Sequence, residues 1–367
     1  MRMLNRRWLF CRAASISLCL LPAGCVSDML AFRPSSSMRR AVVRDPTRVA
    51  IESIAMSPSG QLIAVQYGFA GERKLGIHDL SNDTFVPIPS PPGRHFGYPS
   101  FSAEGTQLIA VEGDGVFGRY LVMIDVKTHA IRRIPVPRSS KFERLYYPSL
   151  SMDSQNAYFV SQQYPEPNLI KSISIQLFNV TTLVDKQNGF HTISRPIVTA
   201  SGTLYFSAQG PRSPELLREV EGVGANVAST VVYELRPGGK PVILYPELER
   251  ARRKARRYID LTHFDFATGT NTAYFVEPSN IDQKPSPVLG LSQPWNWEIH
   301  SLSSDGRIER LTDMKSPNGH VIGHLAVSAN GRRAAFTIDE TRSRDWRLMT
   351  LDIASRRIRD VKIEPTA

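Results

Sequence analysis

The sequence predicts an all-β fold, a six-bladed β-propeller of four-stranded antiparallel blades, and three observations predict it. One layout recurs six times along the chain: a short alternating run, a tight turn with Gly, Ser, Asn or Asp, then a second apolar run. The recurrences are spaced like propeller blades, which repeat at about 40 to 50 residues. Behind each hairpin come two further runs of strand character, making four strands per unit.

The six segments are IAMSPSGQLIAV (54–65), PSFSAEGTQLIAV (99–111), PSLSMDSQNAYFV (148–160), PIVTASGTLYFS (196–207), FDFATGTNTAYFV (264–276) and LAVSANGRRAAFT (325–337). Their turns begin near 57, 102, 151, 199, 266 and 328, so successive gaps are 45, 49, 48, 67 and 62 residues. The first gaps fit one blade each, and the last two imply insertions. Ile63 and Val65, or Ile109 and Val111, alternate with smaller residues, the period-2 signature of a strand. Gly60, Gly105, Gly202, Gly269 and Gly331 fall where the turn needs a positive φ, which glycine adopts at no steric cost. The third and fourth runs are clear in KLGIHDL and TFVPIP, in YLVMIDV and AIRRIPV, and in RLMTLDI and RIRDVKI. A two-sheet sandwich also has many short strands, but it would not repeat one four-strand order six times. Helical signals are few: Ser213 with Pro214 behind it, and the stretch from Pro246 to Tyr258.

Residues 1–24 are set aside as a targeting segment. Arg2, Arg6, Arg7 and Arg12 come with no acid, Ala13 to Leu21 is a short apolar run, and Ala23 and Gly24 are small. The run is well under half of the roughly 20 residues a membrane helix needs. It reads as a secretory signal, with an uncleaved anchor as the alternative. The three cysteines are Cys11, Cys19 and Cys25. Cleavage before Cys25 leaves 3 − 2 = 1 cysteine, so the mature fold holds by packing rather than by a disulfide. Removing four arginines takes the net charge from +11 to 11 − 4 = +7. A basic exported protein among anionic headgroups and polymers requires no nucleic-acid role, and export argues against DNA or RNA as a partner. Residues 25–48 lack sustained periodicity and read as a tether, followed by a propeller over 49–367 that is expected to be monomeric.

Two resemblances sharpen this. Leu20-Leu21-Pro22-Ala23-Gly24-Cys25 resembles the bacterial lipoprotein signal, which is cut before a lipid-modified cysteine. It implies lipid attachment at Cys25 and, with Val26 and Ser27 following, an outer-membrane-anchored periplasmic protein; ordinary cleavage to a soluble periplasmic protein stays open. Ser57-Pro58-Ser59-Gly60-Gln61-Leu62-Ile63-Ala64-Val65 and its counterparts resemble the Ser-Pro-Asp-Gly-x-x-Ile-Ala-Phe repeat of TolB-type periplasmic propellers and the WD-like repeats, over about residues 50 to 363. The turn Asp of that repeat survives here only as a displaced Asp153. The resemblance implies a binding module of the bacterial envelope. A counterpart of TolB's small N-terminal domain is not expected, so TolB's own role is not carried over.

In a four-stranded blade the 1–2 and 3–4 turns lie on one face of the disc, and the 2–3 loops and 4–1 connections on the other. The long insertions, Gly210 to Ala228, Pro246 to Arg257 and Ser279 to Pro294, all fall on the second face. Long loops on a rigid scaffold are where binding usually resides. The middle one carries Arg250, Arg252, Arg253, Lys254, Arg256 and Arg257, which read either as an anion-binding helix, with Arg252, Arg253, Arg256 and Arg257 as its contacts, or as a solvated helix packing Leu248, Ala251 and Ala255. Residues leading into the innermost strands line the central mouth: Tyr98, Tyr147, Arg195, Asp260, His263 and His324. Such a funnel either binds a small ligand or peptide tail or is filled by water.

Catalytic motifs are not evident. There is no Gly-x-Ser-x-Gly elbow, P-loop, Gly-x-Gly-x-x-Gly or Cys-based zinc spacing. His320 and His324, four residues apart on a strand, stand about 13 Å apart and do not chelate one ion without a bend at Gly323. No cofactor or metal is expected. The reading is therefore a non-enzymatic envelope binding or scaffold protein engaging a protein, anionic lipid or polymer, with a propeller enzyme (lyase, lactonase or hydrolase) as the alternative. Radiolabelled palmitate is expected to enter the wild type and not Cys25→Ser, and the variant to become soluble in the periplasm; equal labelling of both rejects the anchor.

Overall fold

The computed structural model describes residues 49–69, 72–113, 118–163, 165–190, 192–209, 231–244, 263–278, 296–314, 316, 319–339 and 346–364. All lie in the larger of two compact units, Ala41–Ala367. The signal, Cys25, the tether, the three insertions, the arginine cluster at 250–257 and Asp260 fall outside the described residues.

Among the described residues every regular element but one is a strand; the exception is a 3-10 turn at Lys186–Asn188. The first sheet is a meander of β1 (Ala50–Met56), β2 (Leu62–Phe69), β3 (Glu72–Asp79) and β4 (Thr84–Ile88). The same order builds β18 (Phe264–Ala267), β19 (Thr272–Pro278), β20 (Trp297–Leu302) and β21 (Ile308–Arg310), and again β22 (Val321–Val327), β23 (Arg333–Asp339), β24 (Trp346–Asp352) and β25 (Arg357–Val361). These are the four-stranded antiparallel sheets the sequence predicts.

Between them the expectation of separate four-stranded sheets is corrected. β5 (His95–Phe101), β6 (Gln107–Gly113), β7 (Gly118–Asp125) and β8 (Ile131–Ile134) share one eight-stranded sheet with β9 (Arg144–Leu150), β10 (Asn156–Gln162), β11 (Leu169–Ser174) and β12 (Val180–Val184). The two meanders are joined by one residue pair, Gly118↔Leu145. Gly118 permits it, because a Cβ there would stand 2.6 Å from the Leu145 carbonyl oxygen. The next sheet has five strands: β13 (Thr192–Ile193), β14 (Ile197–Val198), β15 (Leu204–Gln209), β16 (Val231–Leu235) and β17 (Val242–Ile243). Its first strand is broken into β13 and β14 around Arg195 and Pro196, and proline has no N–H to give the ladder.

The 1–2 turns explain the serine of the repeat. Ser57 Oγ accepts from Leu62 N, Ser102 Oγ from Gln107 N, Ser151 Oγ from Asn156 N and Ser328 Oγ from Arg333 N, at 2.9 to 3.2 Å. One hydroxyl thus closes each of these four hairpins and satisfies a donor that the tight turn would orphan. The positive φ falls on Gly60, Gly105, Gly202 and Gly331 as expected, but on Ser154 in the third turn and Asn271 in the fifth. Gly269 is not the left-handed residue. It is small because its N–H meets the Ala329 carbonyl of the next turn at 2.8 Å, leaving no room for a Cβ.

Strand alternation separates two buried faces rather than a buried and a wet one. In β2, Ile63, Val65 and Tyr67 pack on β22–β25, while Ala64 packs on β5–β8. In β6, Leu108 and Ala110 face β1–β4, and Ile109 and Val111 face β9–β12. Sheets stacked about 10 Å apart bury both faces of their central strands, which therefore read as near-continuous apolar runs. The chain's first and last meanders meet in the same way: Ile54, Met56 and Ile63 share a cluster with Ala326, Leu348 and Val361. Among the described residues that joint carries no exchanged strand, since β22–β25 are all contributed by one continuous stretch. Leu348→Ala is expected to lower stability by about 2–5 kcal/mol in urea denaturation. Val86→Ala, on the exposed side of β4, should stay within about 0.5 kcal/mol.

Candidate functional site

The first strands of the meanders lie beside one another: β5 beside β1 and β9, β14 beside β9, β22 beside β1 and β18. They surround the centre, and β1, β5, β9 and β22 are irregular midway along their length. Register shifts fall between Ile51 and Ser53, between Gly97 and Ser100, and between Ile322 and His324, with a matching one in β9 around Tyr147. Bulges re-aim side chains out of the ladder. Here they present Glu52, Tyr98 and Tyr147; Arg195 falls in the break between β13 and β14, His324 pairs with Thr337 just past the bulge at Gly323, and His263 stands just before β18.

Tyr98 and Tyr147 both hold left-handed backbone, with φ of 53° and 48°. For a bulky residue this is a true outlier, costing on the order of 1–3 kcal/mol, and it persists only where the surroundings fix it. Gln66 does so for Tyr98. Its Oε1 accepts from Tyr98 N (3.2 Å) and from Ser53 Oγ (2.7 Å), and its Nε2 donates to Glu52 (2.8 Å). Glycine at 97 leaves Gln66 its place, because a Cβ would lie 3.0 Å from that same Gln66 oxygen and press on the clamp. The rings of Tyr98 and Tyr147 meet edge to face at 4.7 Å, with Tyr146 5.6 Å from Tyr98. Burial pushes the Tyr98 hydroxyl well above its ordinary pKa, helped by Tyr147, and raises Tyr147 to about 12. Both phenols stay protonated as donors.

The fixed charges of the ring are spent internally. Glu52 accepts from Arg73 Nε at 2.8 Å. Arg195 donates to Asp265 Oδ1 at 2.7 Å, and the buried Asp265 also accepts from Phe266 N (2.9 Å) and Val327 N (2.7 Å). One carboxylate thereby ties three successive sheets. His263 and His324 stand edge to face at 6.2 Å. Burial lowers His263 to about 4; burial, then repulsion from His263, lowers His324 to about 3. Both imidazoles are neutral at pH 7. Trp346 lies over Gly323, where a Cβ would meet its ring at 2.3 Å, and stands 6.5 Å from His324.

Sequence reasoning placed Tyr98, Tyr147, Arg195, His263 and His324 at the centre, and the structure brings the two tyrosines together and the two histidines together. It does not bring His320 to His324: His320 is buried with Nε2 2.6 Å from the Trp297 carbonyl oxygen. Glu52, Gln66 and Tyr146 were missed. The tripeptide Tyr-Pro-Ser at 98–100 and again at 147–149 was the available signal for a shared bulge; nothing marked Gln66, whose partner is 32 residues away.

No family model matches the chain, and no curated protein sequence matches it. Solved structures do. TolB from Acinetobacter baumannii is similar at a TM-score of 0.53 and 14% identity, over 87% of this chain and 64% of that one. The chain therefore spans less than two thirds of that protein's length. An oligogalacturonate lyase in complex with manganese is similar at 0.51 and 14%, over 89% and 81%. The β-propeller domain of the Trilobed protease from Pyrococcus furiosus, described as having an open velcro topology, is similar at 0.53 and 11%, over 87% and 100%. The chain has a β-propeller fold. Propellers host unrelated functions, so the likeness carries architecture alone.

The histidine pair has a thermodynamic consequence. Between pH 6.5 and about 4 the unfolded chain binds protons that folded His263 and His324 refuse, so stability falls as the pH falls through that window. Glu143 acts lower down. Burial opposes its ionisation, but hydrogen bonds from Lys171, Ser161 and Ser139 outweigh that and lower it from 4.5 to about 2. Urea midpoints measured at pH 7.5 and pH 5 are expected to differ in the wild type and to converge in His263→Gln/His324→Gln. A slope unchanged by the double variant rejects this assignment.

Proposed function

We propose that the chain is a non-enzymatic, lipid-anchored protein of the cell envelope, a closed six-bladed propeller that captures a partner at its central mouth and on the surrounding 2–3/4–1 face. The blade count is supported by the core. Its six apolar clusters each join one meander to the next, and the last joins β22–β25 back to β1–β4.

The observation that carries the binding reading is the strained tyrosine pair. Backbone strain is retained where it holds side chains in a working position, and among the described residues neither the Tyr98 nor the Tyr147 hydroxyl is engaged in a hydrogen bond. Around them Glu52 and Asp265 are committed to Arg73, Gln66, Arg195 and backbone donors. That leaves aromatic faces, phenolic donors and neutral imidazoles, a recognition surface rather than an acid–base pair. The basic stretch with Arg252, Arg253, Arg256 and Arg257 adds an anion-binding element to the same face in this proposal. A propeller enzyme with a site in the funnel is the second reading. It is favoured by one observation, the juxtaposed neutral His263 and His324, which are able to accept a proton.

A photo-crosslinking amino acid placed at Tyr98 or at Tyr147 is expected to capture the same envelope component in intact cells, and one placed at Val86 to miss it. Capture should weaken in Gln66→Ala, which releases Tyr98, and survive His263→Gln and His324→Gln. Identical capture from Val86 rejects the mouth as the binding place.

A further inference from the structure

Away from the mouth, the loop between β8 and β9 departs from the rest of the surface. Residues 131–144 carry Arg132, Arg133, Arg138, Lys141 and Arg144 against a single acid, Glu143. That acid is not available to them. Glu143 is buried, 2.6 Å from Lys171 Nζ, and accepts from Ser161 Oγ and from Ser139 N and Oγ. Arg133 is held by both oxygens of the buried Glu112 at 2.6 Å. Arg94 reaches the same place from the preceding connection, since it and Arg133 both stand over the Tyr120 ring, at 5.8 and 5.6 Å. Among the described residues Arg94, Arg132, Arg138 and Lys141 form no ion pair, and Arg132 donates only to the Met123 sulfur.

At the tip of this basic loop stands Phe142, 67% exposed, with the Lys141 ammonium 5.1 Å from its ring centre. The exposure is built in. The loop is pinned by Glu143 at one end and by the bonds Phe142 N to Ser140 Oγ (3.2 Å) and Glu143 N to the Ser140 carbonyl (3.2 Å), with Pro135 and Pro137 before it.

We propose that this loop is a membrane contact, in which Phe142 enters the interfacial layer of a phospholipid bilayer with anionic headgroups and Arg94, Arg132, Arg138 and Lys141 lie against those headgroups. Aromatic rings settle at the headgroup level, and anionic surfaces attract flanking Lys and Arg. An apolar tip with Lys141 against its ring, on a stretch whose other cations Arg132 and Arg138 form no ion pair among the described residues, is complementary to a charged plane rather than to an acidic groove. The position agrees. The loop leads into β9 as the chain at Val49 leads into β1, both on the 2–3/4–1 face. Residues 25–48, upstream of Val49, span up to about 80 Å when extended, so a membrane held at Cys25 is within reach of that face.

The test is co-sedimentation of the full chain carrying Cys25→Ser with phosphatidylcholine vesicles, with and without phosphatidylglycerol. Binding is expected only to the anionic vesicles and should fall as salt rises. Removing cations in Arg138→Gln/Lys141→Gln should weaken it about fivefold per charge. Phe142→Ala should weaken it with an unchanged thermal midpoint, and in Phe142→Trp brominated phosphatidylglycerol should quench added fluorescence. Equal binding by the wild type, Phe142→Ala and Arg138→Gln/Lys141→Gln overturns the proposal, as does equal binding to neutral vesicles. Capture of soluble polyglutamate without quenching at position 142 also overturns it and assigns the loop to an acidic polymer. Tyr98→Phe and Tyr147→Phe are expected to bind vesicles as the wild type does, which separates this contact from the mouth.

Discussion

Each meander in this protein is apolar on both faces, and that constraint governs the rest. A four-stranded sheet with Ile63 and Val65 on one side and Ala64 and Leu75 on the other has no face to give to water. It needs a neighbour before it and another behind it. A row of such sheets would leave two bare ends, so the stack curves until the last sheet covers the first. The alternation of large and small side chains sets the spacing, with a bulky residue on one face of a strand opposite a smaller one on the other, as in Phe336 and Ala335.

Curving the stack crowds the first strands together at the centre, and the crowding is relieved by bulges. A bulge turns a ladder residue inward, so the architecture itself supplies a ring of inward side chains. What distinguishes this ring is how its charges are disposed. Asp265 stitches Arg195 of one sheet to the backbone of β22 two sheets on, and Glu52 and Gln66 hold the backbone of Tyr98 across a sheet boundary. The polar groups nearest the axis double as mortar, leaving phenols and neutral imidazoles as the groups able to meet a visitor.

Much of this was legible in the sequence because it is local. A hairpin turn is built from five or six consecutive residues, so Ser57 to Leu62 and Ser102 to Gln107 announce themselves by composition and spacing. The misreading of Gly269 shows the limit: its small size answers to Ala329, 60 residues on, and no local rule distinguishes that from a left-handed turn glycine. Candidate mouth residues were expected to lead into the first strands, whereas Tyr98, Tyr147 and His324 lie midway along β5, β9 and β22. The strain at Tyr98, the clamp by Gln66 and the pairing of Arg195 with Asp265 depend on contacts 32 and 70 residues apart, which a single sequence does not encode in readable form. The link between β7 and β9 was invisible for the same reason, since it rests on one glycine fitting against one carbonyl.

Among the described residues the joint between β22–β25 and β1–β4 is made by side chains and by turn contacts such as Arg333 Nη1 to the Gly60 carbonyl, with no strand handed across. It is therefore the same kind of joint as most of the others in the ring. Where the polypeptide happens to begin is then incidental to the architecture. A circularly permuted chain that began at β5 and ran through a linker from β25 into β1 would bury the same clusters in the same order.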